Sequence, residues 1–140
     1  MSTPALRVSR ALATVDAVPG FLVFFVVDDV DDALAQEVRR RVRALAASRT
    51  WRDRSPGFFD DPEPAPGSPR TTGGYLRVDA DCADGDDARA LCAAVQAFSA
   101  EFEVDVELQW REAILGRVRA GVPDDGLEEQ LAVVTGEDWG

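Results

Sequence analysis

The sequence contains no histidine, no lysine and no asparagine, so its 15 basic residues are all arginines. A serine or cysteine nucleophile therefore has no imidazole base, and a serine–lysine pair is excluded as well. Aspartate and glutamate are the remaining general acids and bases, and they suit that role at neutral pH only where burial raises the pKa. We assign no catalytic residue on this inventory.

Cysteine and glycine motifs are equally sparse. The two cysteines, Cys82 and Cys92, fit no CxxC or metal-ligand spacing, so we interpret both as reduced thiols. Gly20 and the pair Gly73 and Gly74 are isolated and form no phosphate-binding loop. The sequence therefore predicts no metal, no nucleotide and no other cofactor.

Targeting and membrane-spanning patterns are also missing. Met1–Arg10 has no apolar core of the signal-peptide kind, and the longest apolar run, Phe21–Val27, is far shorter than a bilayer span. These features predict a cytoplasmic protein, and the absence of lysine and asparagine fits a bacterium with a GC-rich genome. At 140 residues with 46% apolar content, the chain has the usual size of a single domain, residues 1–140.

Acidic residues dominate the charge of the chain. The 26 aspartates and glutamates outnumber the arginines and give a formal net charge of −11. Such a field repels nucleic acids and anionic membranes, and it attracts basic proteins. The charge predicts no nucleic-acid or membrane partner and favours a basic protein partner, while an ordinary solvated acidic surface accounts for it equally well.

Four segments carry clear secondary-structure patterns. Phe21–Val27 is continuously apolar and predicts a central strand covered on both faces, whereas Val104–Trp110 alternates and predicts a half-buried strand. Apolar residues at intervals of three and four predict amphipathic helices over Asp31–Ser48 and Asp87–Phe102. An aspartate, Asp84 or Asp86, is positioned to cap the second helix.

The remaining segments are less regular. Two short strands are predicted at Thr50–Arg54, or slightly later, and at Gly74–Ala80, joined by a mobile, proline-rich and acidic loop at 60–73. Glu112–Arg119 is predicted to be a helix with Ile114, Leu115 and Val118 turned inward, and Leu127–Val134 a short terminal helix.

This order of elements predicts an α+β fold, specifically a ferredoxin-like split βαβ sandwich. Its four-stranded antiparallel sheet carries two helices on one face, and a C-terminal helical segment follows. The central strand is apolar on both sides, so the second face also needs a cover. The alternatives are the N-terminal segment with Ala5–Val15, the C-terminal helices, or a second copy of the chain in a homodimer.

Carboxylates near strand ends and helix starts are the first candidate site, because Mg²⁺ and Ca²⁺ bind such oxygens. The residues concerned are Asp28, Asp29, Asp79, Asp81, Asp84, Asp86 and Asp87. In the expected fold the first and third strands are antiparallel, which places Asp28 and Asp79 at opposite ends of the sheet. We therefore interpret these acids as helix-start and turn residues and assign no metal site.

Charge is also unevenly distributed along the chain. Residues 39–54 are rich in arginine, whereas residues 60–105 are rich in acids, which predicts a dipolar molecule. The arginines of the first helix lie opposite its apolar stripe, as on a solvated face. The alternative is a basic face that binds phosphate or an acidic protein.

The last candidate is a polar row on the final strand: Asp105, Glu107 and Gln109. We expect Arg77 and Asp79 on the strand beside it, and acids of the 60–73 loop nearby. Together these residues form the predicted partner-binding surface, which comprises Asp105, Glu107, Gln109, Arg77, Asp79, Asp60, Asp61 and Glu63.

The function expected from these features is non-enzymatic. The chain is predicted to be an acidic interaction module that binds a basic protein, in the manner of small immunity or inhibitor proteins that block a nuclease; this is an analogy of charge and size. One alternative is a small enzyme or ligand-binding domain that uses carboxylates, with or without a metal ion. Another is a structural subunit that assembles through its sheet face.

Overall fold

A computed structural model describes residues 20–52 and 54–136 of the chain. The predicted N-terminal element at Ala5–Val15 lies outside these residues. In chain order the described elements are β1 (Gly20–Val26), α1 (Asp32–Ala47), β2 (Gly57–Asp61), β3 (Thr71–Val78), α2 (Gly85–Phe102), β4 (Asp105–Trp110), β5 (Ala113–Arg119), β6 (Val122–Pro123) and α3 (Leu127–Thr135).

The strands form one antiparallel sheet in the order β2-β3-β1-β4-β5-β6. The α+β class predicted from the sequence is confirmed, whereas the four-stranded sheet is wrong, because six strands pair. The apolar β1 lies between β3 and β4, near the middle of the sheet. Both neighbours hydrogen-bond to it, so neither edge of β1 is free.

One of the two additional strands, β5, arises from the segment Glu112–Arg119, for which the sequence predicts a helix. Residues 113–119 form β5, which pairs with β4 from Asp105↔Arg119 to Trp110↔Ala113 with a bulge between Leu108 and Gln109. Ile114 is 66% exposed instead of turned inward, while Val118 is buried. The spacing of the apolar residues in 113–119 fits a helix as well as a bulged strand. The strand conformation is favoured because the strongly alternating β4 is available as a pairing partner.

Three helices pack on one face of the sheet. The main core joins alternate residues of the strands to the inner sides of α1, α2 and α3, and includes Leu22, Phe24, Val26, Val38, Val42, Leu76, Leu91, Val95, Phe98, Val106, Leu108, Val118, Leu127 and Leu131. Asp31 caps α1 by accepting a hydrogen bond from the Leu34 amide at 2.8 Å. Asp84 caps α2 in the same way through the Asp87 amide at 3.0 Å.

No helix within the described residues covers the opposite face, which we call the open face. Side chains alternate along each strand, so the residues of this face follow from the pairing register. Its apolar members are Phe21, Val23, Phe25, Val27, Phe59, Tyr75, Ile114 and Val122. Its polar members include Asp61, Arg77, Asp105, Glu107, Gln109, Arg117 and Arg119.

The proline-rich loop is shorter than the predicted span of 60–73. Asp60 and Asp61 belong to β2, and Thr71, Thr72 and Gly73 belong to β3, so the connection covers residues 62–70. Within it the Glu63 carboxylate accepts a hydrogen bond from the Gly67 amide at 2.9 Å. The mobility of this loop stays a prediction.

The turn between β4 and β5 has an unusual backbone. Arg111 and Glu112 both have positive φ, at 50° and 72°, as a two-residue hairpin of this kind requires and as asparagine and glycine usually supply. A glutamate in this conformation carries a steric cost that glycine does not. This steric strain lies at Glu112, directly before the start of β5.

We expect Glu112→Gly to raise the free energy of unfolding by about 0.5–1 kcal/mol, because it removes the left-handed strain. Chemical denaturation followed by circular dichroism measures the change. Gln130→Gly, at an exposed position inside α3, is the matched control and should lower stability by about 1 kcal/mol. A loss of stability in both variants would contradict the turn conformation.

Candidate functional site

The predicted polar row lies where the alternation of β4 placed it. Asp105, Glu107 and Gln109 project from the open face, while Val106 and Leu108 are completely buried beneath the helices. The neighbours of β4 differ from the prediction, because β1 and β5 flank it and β3 does not. The row therefore borders an apolar strand on one side and the arginines of β5 on the other.

Glu107 is the most buried acid of this row. Its side chain is 8% exposed and lies 3.2 Å from Nε of Arg117, its cross-strand partner on β5. Gln109 donates a hydrogen bond from Nε2 to the same carboxylate at 2.7 Å. These contacts satisfy a carboxylate that would otherwise be costly to bury beside Phe25 of β1.

Asp105 stands at the start of the row and is more exposed. Its carboxylate lies 3.7 Å from Arg119, and its amide donates to the Asp28 carboxylate at 2.8 Å. Arg119 also donates from Nε to Asp124 at 2.9 Å, and this hydrogen bond lowers the pKa of Asp124. The acids of the row are therefore paired with arginines that the helix prediction for 112–119 concealed.

Arg77 and Asp79 are separated from the row. Arg77 projects from β3, opposite Phe21 of β1, so a whole strand lies between it and β4. Asp79 follows the end of β3. Its carboxylate forms ion pairs with the guanidinium groups of Arg77 at 3.2 Å and Arg54 at 3.5 Å. The structure thus does not bring these two residues together with Asp105, Glu107 and Gln109.

Asp60 lies on the helix side of β2, away from the open face. It accepts two hydrogen bonds from Arg70, at 2.9 and 2.7 Å, and one from the Thr72 hydroxyl at 2.8 Å. Arg70 also binds Asp32, in the first turn of α1, at 2.9 Å. The hydrogen bonds from Arg70 lower the pKa of Asp60, and both carboxylates raise the pKa of Arg70.

The topology nevertheless gathers many acids at one end of the sheet. At this end β1 and β2 finish, β3 and β4 begin, α1 starts and α2 finishes. We call it the acidic end, and its carboxylates are Asp28, Asp29, Asp31, Asp32, Asp60, Asp61, Glu63, Glu101, Glu103 and Asp105. The arginines that contact these acids are Arg41, Arg70 and Arg119.

Four of the predicted binding residues, Asp60, Asp61, Glu63 and Asp105, lie at the acidic end. Asp29 and Glu103 join them and are exposed, but the row-based prediction did not include them. Their position in the sequence was the available signal, because Asp29 comes three residues after β1 and Glu103 comes directly after α2, and both elements finish at this end. The antiparallel pairing of β1 with β4 places the end of β1 beside the start of β4, so a prediction of this pairing would have brought Asp29 and Glu103 together.

The arginines of residues 39–54 are largely engaged within the chain. Arg41 contacts Glu101 at 2.6 Å and lies over the Phe102 ring. Arg49 binds the fully buried Asp87 at 3.4 Å. These contacts tie α1 and the segment after it to the two ends of α2, so part of the basic run has a structural role.

The carboxylates considered for a metal ion are spread over both ends of the sheet. Register pairs Gly20 with Val78, so Asp79 lies beside the start of β1 and Asp28 at its other end. In residues 20–52 and 54–136, no three acidic or cysteine side chains form a group suited to a metal ion. Cys82 and Cys92 are free thiols, and burial raises the pKa of Cys92 to about 12.

Comparison with known proteins gives no relative. The chain matches no protein-family model, no curated protein and no solved structure. Within the described residues, no helix has the length and apolarity needed to cross a membrane. The acidic end and the open face are the features of the described chain that bear on its function.

We expect the Glu107–Arg117 pair to contribute about 1–2 kcal/mol of coupling energy, since one partner is nearly buried. A double-mutant cycle of Glu107→Gln and Arg117→Gln, followed by urea denaturation, measures it. The Asp105–Arg119 pair, whose side chains are 34% and 53% exposed, is the control and should give about 0.5 kcal/mol or less. Equal coupling energies for the two pairs would show that the burial of Glu107 does not strengthen its ion pair with Arg117.

Asp60 should make stability depend on pH. Its pKa is lowered in the folded protein, so its contribution is present above about pH 4 and is lost as pH falls through the folded value. Asp60→Asn should cost about 1 kcal/mol at pH 7 and progressively less below about pH 4. Thermal unfolding from pH 7 to pH 2.5 tests this, with the exposed Asp81→Asn as control. A stability difference between the wild type and Asp60→Asn that stays the same from pH 7 to pH 2.5 would refute the lowered pKa of Asp60.

Proposed function

We propose that this protein is a non-enzymatic interaction module that binds a basic protein through its acidic end. The observation that supports the proposal is the convergence of carboxylates from several separate segments on one end of the sheet. Arginines contacting this group are fewer than its acids, so a negative field remains there. Such a field steers a basic partner toward this end and accelerates association.

The acidic end differs in kind from a uniformly acidic surface. Asp28, Asp31 and Glu63 accept hydrogen bonds from backbone amides, which hold their carboxylates in place. Asp29 and Glu103 are exposed beside them. A fixed set of acids pays less ordering entropy on binding than a flexible one, so it discriminates better between basic surfaces.

The class of partner follows from this chemistry. A protein with a cluster of arginines or lysines, such as the phosphate-binding surface of a nuclease, would match the acidic end. Capping that surface would block its access to nucleic acid, which is how a small immunity or inhibitor protein acts. The free thiols of Cys82 and Cys92 fit a reducing, cytoplasmic location for such a role.

A finer description of the fold belongs to the same proposal. The inner strand order β2-β3-β1-β4, with α1 between β1 and β2 and α2 between β3 and β4, supports a ferredoxin-like unit extended by β5, β6 and α3. In this description the acidic end is the end of the unit where α1 begins. The appended strands supply Arg117 and Arg119, which compensate the β4 row.

The proposal is tested by reversing charge at the acidic end. Asp29→Arg with Glu103→Arg should lower the association rate for a basic protein recovered on the immobilised chain by at least about tenfold at low salt. Surface plasmon resonance at several salt concentrations measures the rate and its salt dependence. The effect should shrink as salt increases, because exposed charges are screened.

The matched control is Asp81→Arg with Glu112→Arg, which changes the net charge from −11 to −11 + 4 = −7 in the same way but at the opposite end of the sheet. It should retain most of the association rate. Equal losses in both double variants would show that net charge alone matters. Failure to recover any basic protein would count against the function itself.

A further inference from the structure

The exposed apolar residues of the described chain concentrate on the open face. Five large apolar side chains are more than a third exposed, and four belong to this face: Phe21 at 41%, Val27 at 36%, Ile114 at 66% and Val122 at 67%. The fifth, Val133, is 76% exposed on α3, on the helix side of the sheet. Phe21 and Val27 belong to the apolar column of β1, and the polar row of β4 separates them from Ile114 and Val122. Exposed apolar side chains gathered on one face of a sheet mark an interface.

Aromatic side chains on this face are held in fixed positions. The rings of Phe21 and Tyr75 meet edge to face, with centroids 5.7 Å apart. The Tyr75 ring also lies across Gly57 of β2, where an added Cβ would come within 2.6 Å of a ring carbon. Glycine at that position therefore allows the ring to lie against the sheet. Rigid aromatic groups of this type lose little entropy on contact and often anchor interfaces.

Unlike the acidic end, the open face is balanced in charge. Within the strands of this face the acids and arginines are equal in number, and they are Asp61, Asp105, Glu107, Arg77, Arg117 and Arg119. Asp79, just beyond β3, is paired with Arg77 and Arg54. Glu107 and Asp105 are paired across strands with the two arginines of β5. A basic partner therefore gains no special attraction here, and the paired charges of this face add no repulsion of their own to that between two chains of net charge −11.

We infer that the open face binds the open face of a second copy of this chain, giving a two-fold symmetric dimer. An apolar patch is complementary to itself, as a two-fold interface requires. Five strands of five to eight residues and the two-residue β6, at about 3.4 Å per residue and about 4.8 Å between strands, give a face of ~500 Å² in projection, before side-chain relief is counted. That is the same order as the ~800 Å² per partner of a typical stable interface.

The dimer leaves most of the acidic end free at the edge of the contact, since only Asp61 and Asp105 of its acids also lie on the open face. Asp29 and Glu103 lie beyond the strands and outside the open face. The two proposals can therefore fail independently. Charge reversal at the acidic end should leave the dimer intact, and disruption of the open face should leave binding of a basic protein to each monomer.

Sedimentation equilibrium of the full chain tests the inference. We expect a mass twice the 15.2 kDa of one chain at micromolar concentration, unchanged or strengthened in 0.5 M NaCl. Phe21→Asp and Ile114→Asp should each raise the dimer dissociation constant at least about tenfold, with the melting temperature of the monomer retained. Ile114 is the safer of the two for folding, because it is the more exposed.

Val133→Asp is the control, since it adds the same charge at an exposed apolar position on the helix side. It should leave the dissociation constant unchanged. A wild-type protein that is monomeric at about 100 µM, dimers that persist in both open-face variants, or equal weakening by Val133→Asp would each overturn the inference.

Discussion

The fold depends on a central strand that is apolar on both sides. Leu22, Phe24 and Val26 point to the helix side of the sheet and belong to the main buried core. Phe21, Val23 and Phe25 alternate with them and must face the other way. One strand therefore fixes both the folded core of the monomer and the apolar surface that remains outside it.

Sequence patterns identified the elements best where they are self-contained. Both capped helices, the central strand and the alternating β4 were predicted within a few residues, because each carries its own periodicity and its own start signal. Residues 113–119 were assigned to the wrong class. Their apolar spacing suits a helix, and the decision for β5 comes from a partner, a turn with positive φ and a bulge, none of which has a periodic signature.

The candidate site shows the same division. Alternation correctly predicted that Asp105, Glu107 and Gln109 share a face, since this is a property of one strand. It could not predict that β1 would lie between β4 and Arg77, because the order of strands in a sheet is set by crossovers. Nor could it predict the pairing of Glu107 with Arg117, a residue placed in the wrong element. The balance of charge on the open face follows from that pairing.

The two edge strands of the sheet limit how the protein can associate. β2 is a five-residue edge strand between Pro56 and Pro62, and it finishes in two aspartates. β6, at the other edge, has only two residues, one of which is Pro123. Prolines, charges and short length hinder the addition of a further strand. The sheet is thus protected against growth by strand-to-strand addition, the route to fibrils, even though one of its broad faces is apolar.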